Sequence, residues 1–352
     1  MVFDSTCSRR MLLGGMAGTL AAGPIARATP TDPLAALRTP YKSGRLVLGG
    51  SAVPGRFDEK AVDCPFVFFH DGSFHMTYVG FDGTGYQTGI ASSPDLITWQ
   101  RQGIMLARDP ADPVTRFNVA SASILRENEL MSPGRLIQVN GQYVCAWHAY
   151  PSAGYEQGAA VIGLAFSTDL KHWRRGKPVL FANNGEPWER GGLYKPYLTK
   201  VGETFLLFYN AKTAETDWHE QTGVAMSRDL VHWTRHPANP LIRNGSAGAP
   251  DSRFASDPVV VSHKGRWALF YFGLGQDGKA RELVATGPDP LHWTKSGEIL
   301  IDVGPAGSVD DDYAHKPALI AHNGDLYHFY CAVSGPWPHE VRGISVARSR
   351  PW

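Results

Sequence analysis

Apolar and polar positions alternate with period two in short runs along this chain, and glycine, asparagine and aspartate punctuate the runs. The alternation predicts half-buried strands and the punctuation predicts tight turns. In a first unit, Pro65-Phe66-Val67-Phe68-Phe69 is one strand, His70-Asp71-Gly72 a hairpin turn, and Phe74 to Val79 a second strand. Gln87 to Ser92 and Ile104 to Leu106 supply a third and a fourth. A second unit reads Gly134 to Val139, Tyr143 to Ala149 and Val161 to Ser167; a third reads Pro196 to Lys200, Thr204 to Asn210 and Gly223 to Ser227. A fourth runs through Pro258 to Ser262, Trp267 to Gly273 and Glu282 to Thr286, and a fifth through Pro317 to Ala321, Leu326 to Val333 and Val341 to Ala347. No useful helical period appears beyond the N-terminal segment.

A sequence signature marks the same units. Asp95-Leu96-Ile97-Thr98-Trp99 returns as Asp169 to Trp173, Asp229 to Trp233 and Asp289 to Trp293, with tryptophans 74, 60 and 60 residues apart. A shortened copy, Ala347 to Trp352, ends the chain. Self-similarity at this period predicts one supersecondary unit stacked several times. Four antiparallel strands per unit, repeated radially, predict an all-β, five-bladed β-propeller. The fifth unit lacks a fourth strand, so Arg45-Leu46-Val47-Leu48 is expected to complete it and close the ring, removing two sheet edges. The repeated tryptophans are read as packing between blades.

The N-terminus changes the domain picture. Ser8-Arg9-Arg10-Met11-Leu12-Leu13 is a twin-arginine motif, a Gly/Ala-rich stretch follows from Leu12 to Ile25, and Ala26-Arg27-Ala28 is an A-x-A cleavage site. Residues 1–28 are therefore expected to be a signal peptide, 29–40 a linker and 41–352 the propeller domain, with the mature protein periplasmic or secreted. The apolar run is too short and too rich in glycine to span a bilayer. Three cysteines, Cys64, Cys145 and Cys331, remain after cleavage, without zinc spacing, and no disulfide framework is expected. The 352 residues carry a net charge of +1, which leaves no footprint for nucleic acid or an anionic membrane.

Candidate chemistry sits just before a recurring proline. The expected blade heads are Asp63-Cys64-Pro65, Met131-Ser132-Pro133, Tyr194-Lys195-Pro196, Ser256-Asp257-Pro258 and His315-Lys316-Pro317. Blade heads converge on the axis of a propeller, so Asp63, Lys195, Asp257, His315 and Lys316 are expected around one small volume.

With these heads and the Ser-x-Asp-Leu-x-x-Trp repeats, the chain resembles the five-bladed glycoside hydrolase superfamily of families 32, 43, 62, 68, 117 and 130. Val62 to Val67 followed by His70-Asp71-Gly72 resembles the family 43 first blade, which implies Asp63 as general base. Family 43 usually has an Asp in a second blade and a Glu in a third; here Ser132 and Tyr194 stand there, and the nearest acids are Glu129 and Glu189. Asp63, Asp257 and His315 occupy blade positions similar to the catalytic set of family 117. The resemblance implies an exported glycoside hydrolase acting on an oligosaccharide or polysaccharide, with inversion.

An inverting glycosidase needs a base for water and an acid across the scissile bond. Asp63 is the expected base and Asp257 the expected sugar-positioning carboxylate; His315, near its working pKa, and Glu189 both stand as the acid. Lys195, Lys316, Tyr194, Trp188, His148, Tyr86 and Trp218 are the expected substrate contacts. No cofactor is expected, although a structural or axial divalent cation is compatible with the reading, and Asp310-Asp311-Asp312 is a solvated loop with cation-binding chemistry. Two other readings stay open. One is a phosphorylase resembling family 130, with Lys195, Lys316 and Arg190 on phosphate; the other is a carbohydrate-binding propeller without turnover. The oligomeric state is not legible.

Overall fold

The computed structural model describes residues 32–336 and 339–352. The proposed signal segment, 1–28, lies outside them. The chain divides into Met1–Ala36, of which only 32–36 are described, and a compact unit Leu37–Trp352.

That second unit is all-β. Its strands fall into successive antiparallel groups: Ala61–His70, Ser73–Phe81, Tyr86–Ser93 and Gln100–Leu106; then Ala120–Ile124, Gln142–Ala149, Val161–Ser167 and Arg174–Leu180. The third is Gly192–Val201, Thr204–Lys212, Glu220–Ser227 and Thr234–Arg235, and the fourth is Phe254–His263, Arg266–Leu274, Ala280–Asp289 and His292–Ile301. The fifth is Tyr313–His322, Asp325–Ser334 and Val341–Arg348. Tyr41–Lys42 and Leu48–Gly49 pair antiparallel with that last strand, Tyr41 opposite Arg348 and Leu48 opposite Ile344, so of the expected strand Arg45-Leu46-Val47-Leu48 only Leu48 is in a strand and the pairing falls on either side of it.

Local chemistry explains the hairpins. Asp71-Gly72, Asn140-Gly141, Lys264-Gly265 and Asn323-Gly324 all have positive φ, between 45° and 77°. Two consecutive left-handed residues make the turn whose twist matches paired strands. The repeated Asp-Leu-x-x-Trp signature is also a turn. Asp95 Oδ1 accepts the Ile97 and Thr98 N–H groups at 2.9 and 2.7 Å, Leu96 is left-handed at φ 67°, and Trp99 Nε1 donates to Leu96 O at 3.2 Å. The tryptophans then pack across groups: Trp99 meets Phe329 edge-on at 5.7 Å and Trp293 meets Phe208 at 6.5 Å. Leu96, Met76 and Val67 share one buried cluster with Ile320, Phe329 and Val346, so the first and last groups bury apolar surface together.

A second repeat is polar and buried. Asp58, Glu189, Asp251 and Asp310 each accept a hydrogen bond from the tyrosine twenty residues onward, Tyr78, Tyr209, Tyr271 and Tyr330. Each also pairs with a cation: Arg101 at 2.8 Å, Arg235 at 2.8 Å, Lys295 at 2.5 Å and Lys42 at 2.5 Å. The first three cations lie opposite an alanine of the group's third strand (Ala91, Ala225 and Ala285), and Lys42 lies opposite Ala347 in the same way. Lys42 thus holds the fourth-strand place in the last group.

The second group departs from expectation. Its first strand is Ala120–Ile124, whereas only Gln138–Val139 of the expected 134–139 strand forms. Gly134 has φ 68° and Ser132 N–H bonds Glu129 O at 3.0 Å, so Met131-Ser132-Pro133 is a turn. Ala-Ser-Ala-Ser-Ile alternates, but between small side chains of low hydrophobic contrast and with one β-branched residue, which hid the true strand from a pattern reading.

Deleting residues 41–50 removes the Lys42 ammonium from buried Asp310 and leaves one edge of Val341–Arg348 unpaired. The expected result is a single thermal transition at lower temperature. An unchanged midpoint with local fraying would contradict it.

Candidate active site

Pro65, Pro196, Pro258 and Pro317 sit in the first strands of four groups and cannot donate to the ladder. At each, the pairing advances three residues on one strand against two on its neighbour, from Asp63 to Phe66, Tyr194 to Tyr197, Ser256 to Val259 and His315 to Ala318. This is a β-bulge. The residue before each proline is left-handed: Cys64 at φ 54°, Lys195 at 52°, Asp257 at 57° and Lys316 at 64°. A non-glycine residue there costs roughly 1–2 kcal/mol. The bulge re-aims the head residues into a shared cavity.

The cavity measures about 320 Å³ and is lined from all five groups. It brings together Asp63, Asp257, His315, Lys195, Lys316, Tyr194, His148, Tyr86 and Trp218, all expected from the sequence. Asp63 Oδ2 accepts from Lys316 Nζ at 2.7 Å, Arg342 at 3.1 Å and the Tyr155 hydroxyl at 3.3 Å, while Oδ1 accepts the Cys64 N–H at 2.7 Å. Burial alone would raise this carboxyl, but the Lys316 and Arg342 charges outweigh burial and hold it well below the usual carboxylate range. Asp257 is the converse. Burial raises its carboxyl although the Lys195 ammonium stands 3.5 Å away, and its Oδ2 has no hydrogen bond.

Glu220 also lines the cavity and stands out chemically. Its Oε1 accepts from Trp218 Nε1 at 3.1 Å, and its Oε2 from Ser256 Oγ at 2.7 Å and Asn210 Nδ2 at 3.4 Å. Burial, reinforced by the Glu156 charge, raises its carboxyl to about 7.

His315 differs from expectation. It is enclosed by Phe272 and Tyr313, with ring centres at 5.2 and 5.3 Å, and its Nδ1 bonds Cys331 O at 3.0 Å. That carbonyl fixes the proton on Nδ1, so Nε2 is an acceptor facing Arg342 at 3.5 Å. Burial and the Lys316 charge push the imidazole well below its ordinary value, which leaves it neutral. His148 is likewise neutral, lowered by burial and Lys195, and its Nδ1 accepts the Lys195 N–H at 3.4 Å.

Glu189 and Trp188 lie outside the cavity. Glu189 is the third group's buried acid, tied to Tyr209 and Arg235 in the repeat described above. Trp188 stacks on Tyr209 at 6.0 Å in a hydrophobic cluster. Arg190 is exposed and does not line the cavity either. In the acidic run, Asp310 is held by Lys42 and Tyr330, and Asp312 by Lys279 at 2.6 Å. Among the described residues no three His, Cys, Asp or Glu side chains are arranged to hold a metal, and Cys64, Cys145 and Cys331 are buried free thiols.

Tyr155, Glu156, Glu340 and Arg342 line the cavity without having been expected there, and Glu220 was expected only as part of a rim segment, 217–220, with no role as an acid. A signal existed for some. In an antiparallel group the first and third strands run the same way, so their starts share one end. Tyr86, Glu220 and Ala280 open third strands and all line the cavity, as does Arg342 one residue into its strand.

The sequence profile of the Glycosyl hydrolases family 32 N-terminal domain matches residues 126–307, just over half of the 352-residue chain. Over 157 residues the chain is 30% identical to a 1,2-beta-oligomannan phosphorylase of Thermoanaerobacter sp. (strain X514), a match covering 43% of each protein. The chain thus spans less than half the length of that curated relative. Among solved structures, a complex of BT0996 with RGII superposes with a TM-score of 0.77 and 26% identity, covering 90% of this protein and 94% of that one. A protein described as a glycoside hydrolase matches with a TM-score of 0.77, 27% identity and coverage of 90% and 93%. A family 117 and a family 43 structure share the propeller fold alone. This protein belongs to the Glycosyl hydrolases family 32 N-terminal domain family, and with it to the superfamily of β-propeller glycoside hydrolases.

Proposed function

We propose that the protein is an exported, inverting glycoside hydrolase in which Glu220 is the proton donor and Asp63 the ionised carboxylate that assists water. The observation carrying this is one cavity holding two carboxyls whose surroundings drive them apart: one raised to about 7 by burial, the other held ionised by two cations. Glu220 protonates the glycosidic oxygen as the C–O bond breaks. Water adds to the anomeric carbon and transfers a proton to Asp63, whose Oδ1 keeps a lone pair beside its single N–H bond. A weak base suffices, because water becomes acidic as it bonds to an oxocarbenium-like centre. Asp257 Oδ2 and the Tyr86 hydroxyl, both buried without a hydrogen bond, are available to sugar hydroxyls.

The fold reading that goes with this is a five-bladed propeller whose ring is closed by the Tyr41–Lys42 strand; Lys42 in the place of Arg101, Arg235 and Lys295 supports it. The volume, about 320 Å³, lies at the small end of ligand sites and suits one or two sugar rings of an oligosaccharide. The RGII component of the complex formed by the 26%-identical BT0996 supports that class.

The acid must be protonated, so kcat/KM is expected to fall as pH rises through about 7. Glu220→Gln removes this limb and slows glycosides with poor leaving groups by about 10²–10⁴. It spares dinitrophenyl glycosides, whose leaving group needs no proton, whereas Asp63→Asn loses both. Equal loss on the two substrates in Glu220→Gln would sink the assignment.

Phosphorolysis is the second reading, favoured by the oligomannan phosphorylase match. Against it, Lys195, Lys316 and Arg342 are already paired with Asp257, Asp63 and Glu340. Turnover is therefore expected to yield free reducing sugar at the same rate with and without inorganic phosphate; a sugar 1-phosphate product would install the phosphorylase.

Export rests on the twin-arginine and A-x-A segments. In a bacterium with a twin-arginine pathway, mass spectrometry of the periplasmic protein is expected to find its N-terminus near residue 29. An intact Met1 confined to the cytoplasm would overturn that.

A further inference from the structure

The cations in the cavity wall and directly beside it fall into two kinds. Lys316, Lys195 and Arg342 are each tied to a carboxylate, at 2.7, 3.5 and 2.8 Å. Lys212 is not. Its ammonium sits 4.9 Å from the ring centre of Trp218, 5.8 Å from that of Tyr194 and 6.0 Å from that of Tyr150. All three rings line the cavity; Lys212 stands beside it, half-buried, with no ion pair or hydrogen bond from its side chain among the described residues. A cage of ring faces holds an ammonium in place without neutralising it. The residual charge stays available to a ligand.

Its position gives that charge a meaning. Lys212 and Glu220 stand directly opposite on neighbouring antiparallel strands, so their side chains leave the sheet on the same face. Trp218 connects them, since its indole N–H bonds Glu220 and its ring carries Lys212. A proton donor must lie against the leaving-group oxygen. Whatever flanks Glu220 therefore meets the departing sugar.

We propose that Lys212 forms an anion subsite on the leaving-group side of Glu220, and that the departing sugar is a uronate whose carboxylate pairs with this ammonium. The inference rests on Glu220 as proton donor for its placement, and it deepens that reading by naming a substrate class. The cations that line the cavity are paired with Asp63, Asp257 and Glu340, so the uncompensated positive charge next to it is that of Lys212, held against three of its lining rings. A neutral sugar at the same place would leave the caged ammonium unused.

The test is calorimetric titration at pH 6 with sodium D-galacturonate, sodium D-glucuronate and methyl D-galacturonate, the neutral ester. The wild type is expected to bind at least one uronate about tenfold more tightly than the ester. Lys212→Met keeps the apolar stem against the aromatic rings and is expected to erase the preference; Lys212→Arg is expected to restore it. Added salt should weaken uronate binding and leave the ester unaffected. Equal binding of acid and ester by the wild type overturns the proposal, and so does no binding of either. A preference that survives in Lys212→Met also overturns it, and moves the anion to another cation. The titration involves no turnover and the aryl glycoside comparison involves no anion, so the subsite and the proton-donor reading can fail independently.

Discussion

Pro65, Pro196, Pro258 and Pro317 each withdraw one donor from a first strand, and the backbone answers with one extra residue in a left-handed conformation. The strain falls on Cys64, Lys195, Asp257 and Lys316, which are not glycines. Such conformations persist only where the surroundings over-determine them. Here the surroundings are ion pairs made by the displaced side chains, including Lys316 to Asp63 and Lys195 to Asp257. Bulge and ion pair therefore support each other: the bulge delivers the charge, and the pair holds the bulge. The Lys316–Asp63 bond also joins the last group to the first.

Burial then divides the acids. In a low-dielectric cavity a carboxyl ion-paired with cations stays ionised, and one whose hydrogen bonds come from neutral donors, with another carboxylate near, keeps its proton. Asp63 is the first kind and Glu220 the second. The scaffold carries other buried acids that do no such work. Asp58, Glu189, Asp251 and Asp310 are each fully engaged by a tyrosine and a cation of the fourth-strand position, and their recurrence twenty residues before a tyrosine marks them as framework. The second group breaks this rule: Trp147 stands in place of the tyrosine, against Gly163, where a Cβ would lie 2.2 Å from the indole.

That framework limits what motif reading can achieve. Glu189 is an acid near a blade head, and in one dimension it is as good a candidate as Glu220. Its tie to Arg235 and Tyr209, outside the cavity that Glu220 lines, separates them. His315 is similar. Its place in the chain was legible, but the carbonyl of Cys331, the flanking rings and the Lys316 charge make it a neutral acceptor. Those partners come from other strands and leave no trace at the position itself.

Period-two alternation, paired left-handed turn residues and the Asp-Leu-x-x-Trp spacing determined the strand order, the repeat and four of the five heads, because these depend on contacts between residues near in sequence. The proline within each bulge likewise announced where the chain would turn its side chains to the axis. The strand Ala120–Ile124, the placing of Glu220 in the cavity wall and of Glu189 outside it, and the caged Lys212 were decided by the tertiary structure. Each depends on which side chains from distant strands supply burial, a counter-charge or a hydrogen bond, and only the assembled sheets bring those together.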